Sequence, residues 1–327
     1  MIYEMKEAES LGQLVLAVDL GGTKIIAALI SSKGEMVDRD YSLTVADEGL
    51  ESVIGKIFSA VDRLCHRSNI SQSQLGAISV AAAGVIDMGK GIITKSPNLP
   101  GWIDVPLRDR IEGKYKTNTF LINDANAAAL GEHRFGTGKG TSNLVLLTLG
   151  TGIGGGIIIN GDLYFGSSGG AGEVGHMTID VNGPRCNCGN VGCLEMLASG
   201  KAVAREAIRC VSLGEQSCLA EMVGGRIENI TAREVSLAAQ QGDPLSSGVI
   251  ARAAECLGAA MVNLVNVFSP EIIVVGGGMS NMGDLLLDSA RQIVKERAFK
   301  LPSQAVRIVT ARLGEDAGVF GAAAFAF

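Results

Sequence analysis

The feature that most constrains the fold is a unit of strand, glycine turn and strand that occurs twice. The first copy spans Leu14–Ile30 around the turn Asp19–Lys24, and the second spans Leu144–Ile159 around the turn Gly150–Gly156. Gly21 and Gly150 are 129 residues apart, a domain-sized interval. The repeat predicts duplicated α/β halves that face each other across a cleft, each with a phosphate-handling loop. Two glycine hairpins that arose independently are the alternative, since such turns are common.

Composition supports an ordered enzyme of two domains. The chain has 327 residues, 47% hydrophobic and 19% charged, which favours packed domains over disorder. Its 44 glycines follow no collagen-like period and therefore mark tight turns and places of close backbone approach.

The periodicity of apolar residues predicts helices in four segments. They are 50–65, 201–211, 247–268 and 317–324.

Charge and hydropathy exclude several classes of protein. The net charge is −6 and no basic run resembles a nucleic-acid footprint, so we expect no nucleic-acid partner. The first ten residues are polar and acidic, unlike a secretory signal. The longest uncharged apolar stretch, Leu144–Ile159, contains five glycines and is typical of strand, turn and strand rather than of a membrane helix. A cytoplasmic protein without membrane contact is expected.

The first turn, Asp19-Leu20-Gly21-Gly22-Thr23-Lys24, suits triphosphate chemistry. Its glycines let backbone N–H groups approach phosphate oxygens, and Thr23 or Lys24 adds a donor. Asp19 offers carboxylate oxygens to Mg²⁺, directly or through water. A plain β-turn is the competing interpretation, because Asp, Gly and Thr all favour turns.

A second motif, Asn123-Asp124-Ala125-Asn126, joins an apolar strand to a helix. A carboxylate at that junction can cap the helix N-terminus, which is one interpretation of Asp124. The functional interpretation makes Asp124 the general base that accepts a proton from an attacking hydroxyl.

His176, Cys186, Cys188 and Cys193 form the most specific cluster in the chain. One imidazole and three thiolates within eighteen residues suit tetrahedral zinc, against the alternative of four unmetallated core residues. Four protein ligands leave no open position, so the zinc should be structural and a zinc hydrolase is disfavoured. We expect the rigid loop to fix Glu173 and Glu195, which with His176 would line one polyol pocket.

Two common nucleotide motifs do not fit. Gly84–Lys90 begins like a P-loop, but Gly91 stands where Ser or Thr is needed, and the segment is predicted to be a hairpin turn. The glycines of Gly150–Gly156 match a dinucleotide fingerprint, yet strand and not helix follows them. Gly276-Gly277-Gly278 ends a predicted strand at Glu271–Val275, where an α/β protein tends to place a nucleotide.

Together these motifs resemble the ROK family of sugar kinases and sugar-sensing repressors, from about Leu14 to the C-terminus. The resemblance implies an actin-like (ribonuclease H-like) fold in which a cleft closes on a hexose, ATP and Mg²⁺. It implies transfer of phosphate to the 6-hydroxyl, as in the first step of glycolysis, with Asp124 as base. The implied sugar ligands are Gly84, Asn98, Asn123, Asp124, Glu173, His176 and Glu195. The implied nucleotide loops are Asp19, Gly21, Gly22, Thr23 and Lys24, then Gly150, Thr151 and Gly152, then Gly276, Gly277 and Gly278.

The flanks of these motifs are most similar to family glucokinases, so glucose is the expected substrate. Ala81-Ala82-Ala83 departs from the Gly/Pro-rich sequence of many of them, and N-acetylmannosamine or another hexose is the alternative. A sugar-sensing regulator is less favoured, because the thirteen residues before Leu14 are too few for a helix-turn-helix. We expect a small domain at 1–123, a zinc-containing domain at 124–312, and a helix at 313–327 returning to the first. The resemblance also implies a homodimer or homotetramer.

Overall fold

The computed structural model describes residues 13–327, and the N-terminal segment interpreted above as unlike a secretory signal lies outside them. The described strands are β1 (Leu14–Leu20), β2 (Lys24–Ser31), β3 (Met36–Leu43), β4 (Leu75–Ala82), β5 (Val85–Asp87), β6 (Ile92–Lys95), β7 (Ile103–Val105), β8 (Thr119–Asn123), β9 (Leu144–Leu149), β10 (Ile153–Ile159), β11 (Asp162–Leu163), β12 (Ile272–Gly276) and β13 (Arg307–Thr310). The described α-helices are α1 (Leu50–Arg67), α2 (Leu107–Tyr115), α3 (Asp124–Arg134), α4 (Leu194–Ala198), α5 (Gly200–Ser212), α6 (Leu219–Met222), α7 (Ala232–Gln240), α8 (Pro244–Phe268), α9 (Asp284–Arg297), α10 (Lys300–Ala305) and α11 (Ala317–Ala326).

The first large sheet has the strand order β3-β2-β1-β4-β8. β1 and β2 form an antiparallel hairpin, and β4 pairs in parallel with both β1 and β8. Side chains of β1 alternate between two cores: Leu16 and Val18 pack with α1, whereas Val15 and Ala17 pack with α11. Both faces of the sheet are therefore covered, which explains why its central strands are continuous apolar runs.

The second large sheet repeats this plan, with the order β11-β10-β9-β12-β13. β12 pairs in parallel with β9 and β13, and β10 pairs antiparallel with β11. A hairpin that continues into two parallel strands thus occurs in both sheets. The recurrence agrees with the duplication predicted from the two glycine turns. Between these sheets in sequence, β5 and β6 form the hairpin expected at Gly84–Lys90.

The chain divides into two compact units. The first comprises residues up to Thr141, Gly156–Ala171 and Arg312–Phe327, and the second comprises Ser142–Gly155 and Gly172–Ala311. This division differs from the expected boundary at 123/124, because α3 packs against α11 and lies within the first unit. The C-terminal helix α11 also packs on β1 and β4.

Close contact between α3 and α11 depends on glycine. A Cβ at Gly321 would lie 1.6 Å from the carbonyl oxygen of Ala127, and one at Gly131 would lie 2.6 Å from that of Ala317. No larger residue fits at either position without moving backbone. This contact fixes α3, whose first residue is Asp124.

Helix α8 is the long apolar helix of the second unit. Over the described residues it alone meets the length and hydropathy criteria for a membrane span, with a mean hydropathy of 1.4. About half of that segment, 56%, is buried inside the protein, where Leu257, Met261 and Leu264 contribute to the core. A buried core helix passes the same criteria, so this is weak evidence for a membrane span.

Candidate functional site

The first glycine turn brings a predicted phosphate loop against a predicted sugar ligand. Asp19 lies near the end of β1, and the N–H of Gly21 donates to the carbonyl of Lys24 at 3.0 Å. A Cβ at Gly22 would lie 2.8 Å from both the Cβ and the carbonyl oxygen of Asn98. Glycine is therefore required at position 22, and the turn packs directly on Asn98.

The other two residues of this turn have partners within the first unit. The carbonyl of Thr23 accepts from the N–H of Thr44 at 2.9 Å. The Nζ of Lys24 lies 3.1 Å from Oε2 of Glu315 in an ion pair. Lys24 is therefore partly neutralised by a neighbouring carboxylate.

Two carboxylates, Asp19 and Asp124, lie at the carboxyl ends of strands that flank β4. Asp19 stands opposite Ala81, which stands opposite Ile122, two residues before Asp124. Burial, followed by the negative charge of Asp124, raises the pKa of Asp19 to about 7, although Lys24 opposes the shift. Mutually repelling carboxylates at one sheet edge are a donor set that fits a hard cation such as Mg²⁺.

Asn123, not Asp124, caps helix α3. Its Oδ1 accepts from the N–H groups of Ala125 and Asn126 at 3.0 and 3.1 Å, which corrects the capping interpretation of Asp124. The Nδ2 of Asn123 donates to the carbonyl of Gly84 at 3.2 Å. Asp124 is the first helical residue, and its Oδ1 accepts from the N–H of Ala125 at 2.9 Å. Gly84, Asn123 and Asp124 are thus held together.

The predicted zinc ligands of the second unit come together. The ligand atoms of His176, Cys186, Cys188 and Cys193 all lie within 4.8 Å of one another. Cys188 Sγ and Cys193 Sγ are 3.7 Å apart, and Cys186 Sγ lies 3.6 Å from Nδ1 of His176. Tetrahedral zinc with bonds of about 2.3 Å to sulfur and about 2.0 Å to nitrogen requires separations of about 3.8 and 3.5 Å. The cluster therefore fits zinc, with Nδ1 as the imidazole ligand atom.

Backbone turns explain how four ligands from one short segment converge. The N–H of Cys186 donates to the carbonyl of Asn190 at 2.8 Å, and Gly189 between them has a φ of +96°. The Nδ2 of Asn190 also donates to the carbonyl of His176 at 3.2 Å and to Thr178 Oγ1 at 3.0 Å. Asn190 thus ties the cysteine turn to the histidine segment.

Glu195 links the zinc loop to the second glycine turn. Its Oε2 accepts from the N–H of Ile153 at 2.9 Å, and a Cβ at Gly152 would lie 2.2 Å from the same oxygen. A Cβ at Gly175 would lie 2.0 Å from the carbonyl oxygen of Ile153, so the segment of Glu173 packs on that turn too. Glu195 and the segment that carries Glu173 and His176 therefore converge on the turn after β9, and Glu173 itself is exposed.

A cavity of about 760 Å³ in the second unit joins two of the predicted nucleotide segments. Gly150, Thr151 and Gly278 line it, whereas Gly276 and Gly277 do not. Gly276 ends β12 opposite Thr148, and a Cβ at Gly277 would lie 2.3 Å from the carbonyl oxygen of Leu149. Gly276 and Gly277 therefore shape the strand end rather than the cavity wall.

Several residues of this cavity were missed by the sequence analysis. They include Lys201 at the start of α5, Arg233 at the start of α7, and Asn281 beyond β12. The N-caps Ser199 and Thr231, which accept from Ala202 and Arg233, were the available signals for these helix starts. No spacing rule links three segments so far apart in sequence.

With this geometry established, the chain is a member of the ROK family, which it matches over residues 15–327. Family sugar kinases have the actin-like two-domain α/β fold, and the prediction of that fold is confirmed.

Two curated relatives and one solved structure illustrate the similarity. A glucokinase of Halalkalibacterium halodurans is 40% identical over 94% of this chain and 92% of its own length. A putative xylose repressor of a Caldicellulosiruptor species is 34% identical, over 95% of this chain and 77% of its own length. The ROK family glucokinase of Streptomyces griseus, solved with glucose and AMPPNP, has a TM-score of 0.82 at 34% identity, over 95% of this chain and 98% of its own.

Proposed function

We propose that the protein transfers the γ-phosphoryl group of ATP to the 6-hydroxyl of glucose. The observation that carries this proposal is the grouping in the first unit of Asp19, Gly22 and Asn98 with Gly84, Asn123 and Asp124 around one sheet edge. The similarity to glucokinases over nearly the whole chain supports glucose as the acceptor.

Asp124 is proposed as the general base. Because Asn123 caps the helix, Asp124 has a carboxylate at the helix start that is not used as the cap. In the proposed reaction this carboxylate accepts the proton of the attacking hydroxyl while the phosphoryl group transfers in line. Asn98, Asn123 and the segment at Gly84 orient the sugar.

The nucleotide is assigned to the glycine turns and the 760 Å³ cavity. Backbone N–H groups at Gly22 and Thr151 would donate to phosphate oxygens, because those of Gly21 and Gly150 already donate to the carbonyls of Lys24 and Gly152. Adenosine would occupy the cavity, where Lys201 and Arg233 supply positive charge. Asp19 would hold Mg²⁺, which neutralises phosphate charge when bound.

Zinc has a structural role in this proposal. His176 Nδ1 and the three thiolates would complete the metal's coordination, leaving Nε2 of His176 for a sugar hydroxyl. Glu195 and Glu173 would accept hydrogen bonds from further hydroxyl groups of the same sugar. The protein would act in the cytoplasm, at the start of glucose breakdown.

The test is to measure ADP release with an enzyme-linked assay, in the presence of ATP and Mg²⁺, for each sugar of a panel. Glucose, N-acetylglucosamine, N-acetylmannosamine, mannose, fructose and allose should be compared, and glucose should give the highest kcat/KM. Higher kcat/KM with N-acetylmannosamine would replace glucose by the alternative substrate. The absence of ADP release with every sugar, in zinc-loaded protein, would contradict kinase activity and favour a sugar-sensing regulator.

A further inference from the structure

A second polar cavity lies in the second unit, apart from the proposed nucleotide cavity. Its volume is about 420 Å³, within the usual range of small-molecule sites. One wall is the zinc-loop segment Asp180–Pro184, and the others come from α4, α5 and α8. The sequence analysis assigned it no role.

Three arginines line this cavity in a protein whose net charge is −6. Arg205 and Arg209 come from α5 and Arg252 comes from α8. Arg209 makes two hydrogen bonds of 2.9 Å to Glu206, which lies among them. Hydrogen bonding to Arg209 lowers the pKa of Glu206, and the charges of Arg252 and Arg205 add to the effect. Arg209 therefore contacts the carboxylate of Glu206 directly, and the charges of Arg205 and Arg252 act on it as well.

Arg252 differs from the other two arginines in its hydrogen bonding. Arg205 donates to the carbonyl of Met196, and Arg209 is paired with Glu206. Among residues 13–327, Arg252 forms no hydrogen bond or ion pair, and it is exposed. A planar guanidinium whose N–H groups make no hydrogen bond within residues 13–327, beside two others, is suited to bidentate contact with phosphate oxygens.

The remaining polar groups indicate what else the ligand carries. Asp180, Asn182 and Glu206 line the same cavity and offer acceptors for hydroxyl groups. A polyphosphate or nucleic acid would meet repulsion from the two carboxylates, whereas a ligand with one phosphate and several hydroxyls would satisfy both sets. We propose that this cavity binds a sugar phosphate, with the arginines on the phosphate and Asp180, Asn182 and Glu206 on the hydroxyls.

The site is distinct from the acceptor pocket, although one loop serves both. A Cβ at Gly192 would lie 1.6 Å from the carbonyl oxygen of Asp180, so the cavity wall packs on the residue before the ligand Cys193. Met196 lines the cavity, and Glu195 next to it contacts the second glycine turn. The preformed wall therefore depends on the same loop that holds the metal ligands.

The experiment is calorimetric titration of glucose 6-phosphate into zinc-loaded protein in saturating glucose, which blocks the proposed acceptor pocket. Arg252→Gln and Arg205→Gln are the test variants. Arg226→Gln is the matched control, because Arg226 is exposed in the same unit and does not line the cavity. We expect one site in wild type, binding about tenfold weaker in each test variant, and no change in the control.

Equal affinity of wild type and Arg252→Gln would overturn the proposal, as would the absence of binding to wild type. Inorganic phosphate that binds as tightly as glucose 6-phosphate would overturn the assignment of the sugar. The result is independent of the proposed kinase activity, whose failure would appear separately as a lack of glucose-dependent ADP release.

Discussion

At the scale of single residues, neighbouring side chains at the start of α3 have different tasks. Asn123 accepts hydrogen bonds from two N–H groups of the helix and donates one to the carbonyl of Gly84. Asn123, rather than Asp124, is therefore the N-cap. A sequence with two capping residues in a row does not reveal which one caps. The structure resolves this, since the Oδ1 of Asn123 reaches both Ala125 and Asn126.

Replacing Asp124 with Asn keeps the shape of the side chain and removes its basicity. We expect kcat to fall by about 10²–10⁴-fold, with little change in the Kd for glucose. Enzyme-linked kinetics and calorimetry would measure the two quantities. Asp109→Asn, an exposed carboxylate on α2, is the matched control and should leave kcat unchanged. Near-normal turnover by the Asp124 variant would eliminate it as the base.

Gly318 is predicted to be required for the position of Asp19. A Cβ there would lie 2.4 Å from Oδ2 of Asp19, so Gly318→Ala must displace that carboxylate. A shift of this size should lower kcat/KM for MgATP by about 10²-fold. Gly248→Ala is the control, because a Cβ on that helical glycine would have no atom within 4 Å apart from its chain neighbours and the adjoining backbone of its own helix. It should leave activity intact and stabilise the fold by about 0.5–1 kcal/mol. Equal kinetics for both variants would contradict the assignment.

At the scale of elements, the zinc loop is predicted to preorganise the sugar ligands. Cys188→Ser should lower the zinc content, measured by mass spectrometry, and should weaken glucose binding because the loop loses its fixed shape. Cys65→Ser, on α1 in the first unit, is the control and should retain zinc and affinity. Unchanged glucose affinity in zinc-depleted Cys188→Ser would refute the coupling.

Strand β3 is attached to α1 by ion pairs that depend on pH. Arg67 donates to Asp38 at 2.9 and 3.0 Å, and its hydrogen bonds hold the pKa of Asp38 below its usual range. Because the folded pKa is lowered, this stabilisation is present above about pH 4 and is lost as the pH falls through the folded value.

Arg67→Gln should therefore lower Tm at pH 7.5 by about 1–3 °C, as expected for a partly exposed pair. The difference from wild type should shrink as the pH falls from 7.5 to a value below the lowered pKa of Asp38, where that carboxylate is protonated in both folded proteins. Lys139→Gln, which removes an exposed charge elsewhere in the first unit, is the control. A difference in Tm that stays constant between the two pH values would show that Asp38 is not the titrating partner.

The elements that the sequence predicted well are those with local signals. Glycine turns between apolar runs predicted β1, β2, β9 and β10, and cysteine spacing predicted the metal cluster. Lys201 and Arg233 could not be predicted as cavity residues. Their place depends on how α5, α7 and the segment after β12 pack, and packing between distant segments leaves no local pattern.

At the scale of the whole molecule, the chain passes between its two units four times, after Thr141, Gly155, Ala171 and Ala311. From the sequence, one boundary at 123/124 and a C-terminal segment, 313–327, that returns to the first domain were expected, and no linker in the sequence marks the other passages. The packing of elements against each other determines the division of the chain into units. The close contact of α3 with α11 at Gly131 and Gly321 assigns α3 to the first unit.

The most direct test of the central claim is to compare glucose with 6-deoxyglucose as acceptors for purified protein with ATP and Mg²⁺. ADP release and the mass of the sugar product would be measured together. The account predicts ADP release with glucose, stoichiometric formation of glucose 6-phosphate, and neither with 6-deoxyglucose, which lacks the attacking hydroxyl. Equal ADP release with both sugars, or no sugar phosphate from glucose, would contradict it.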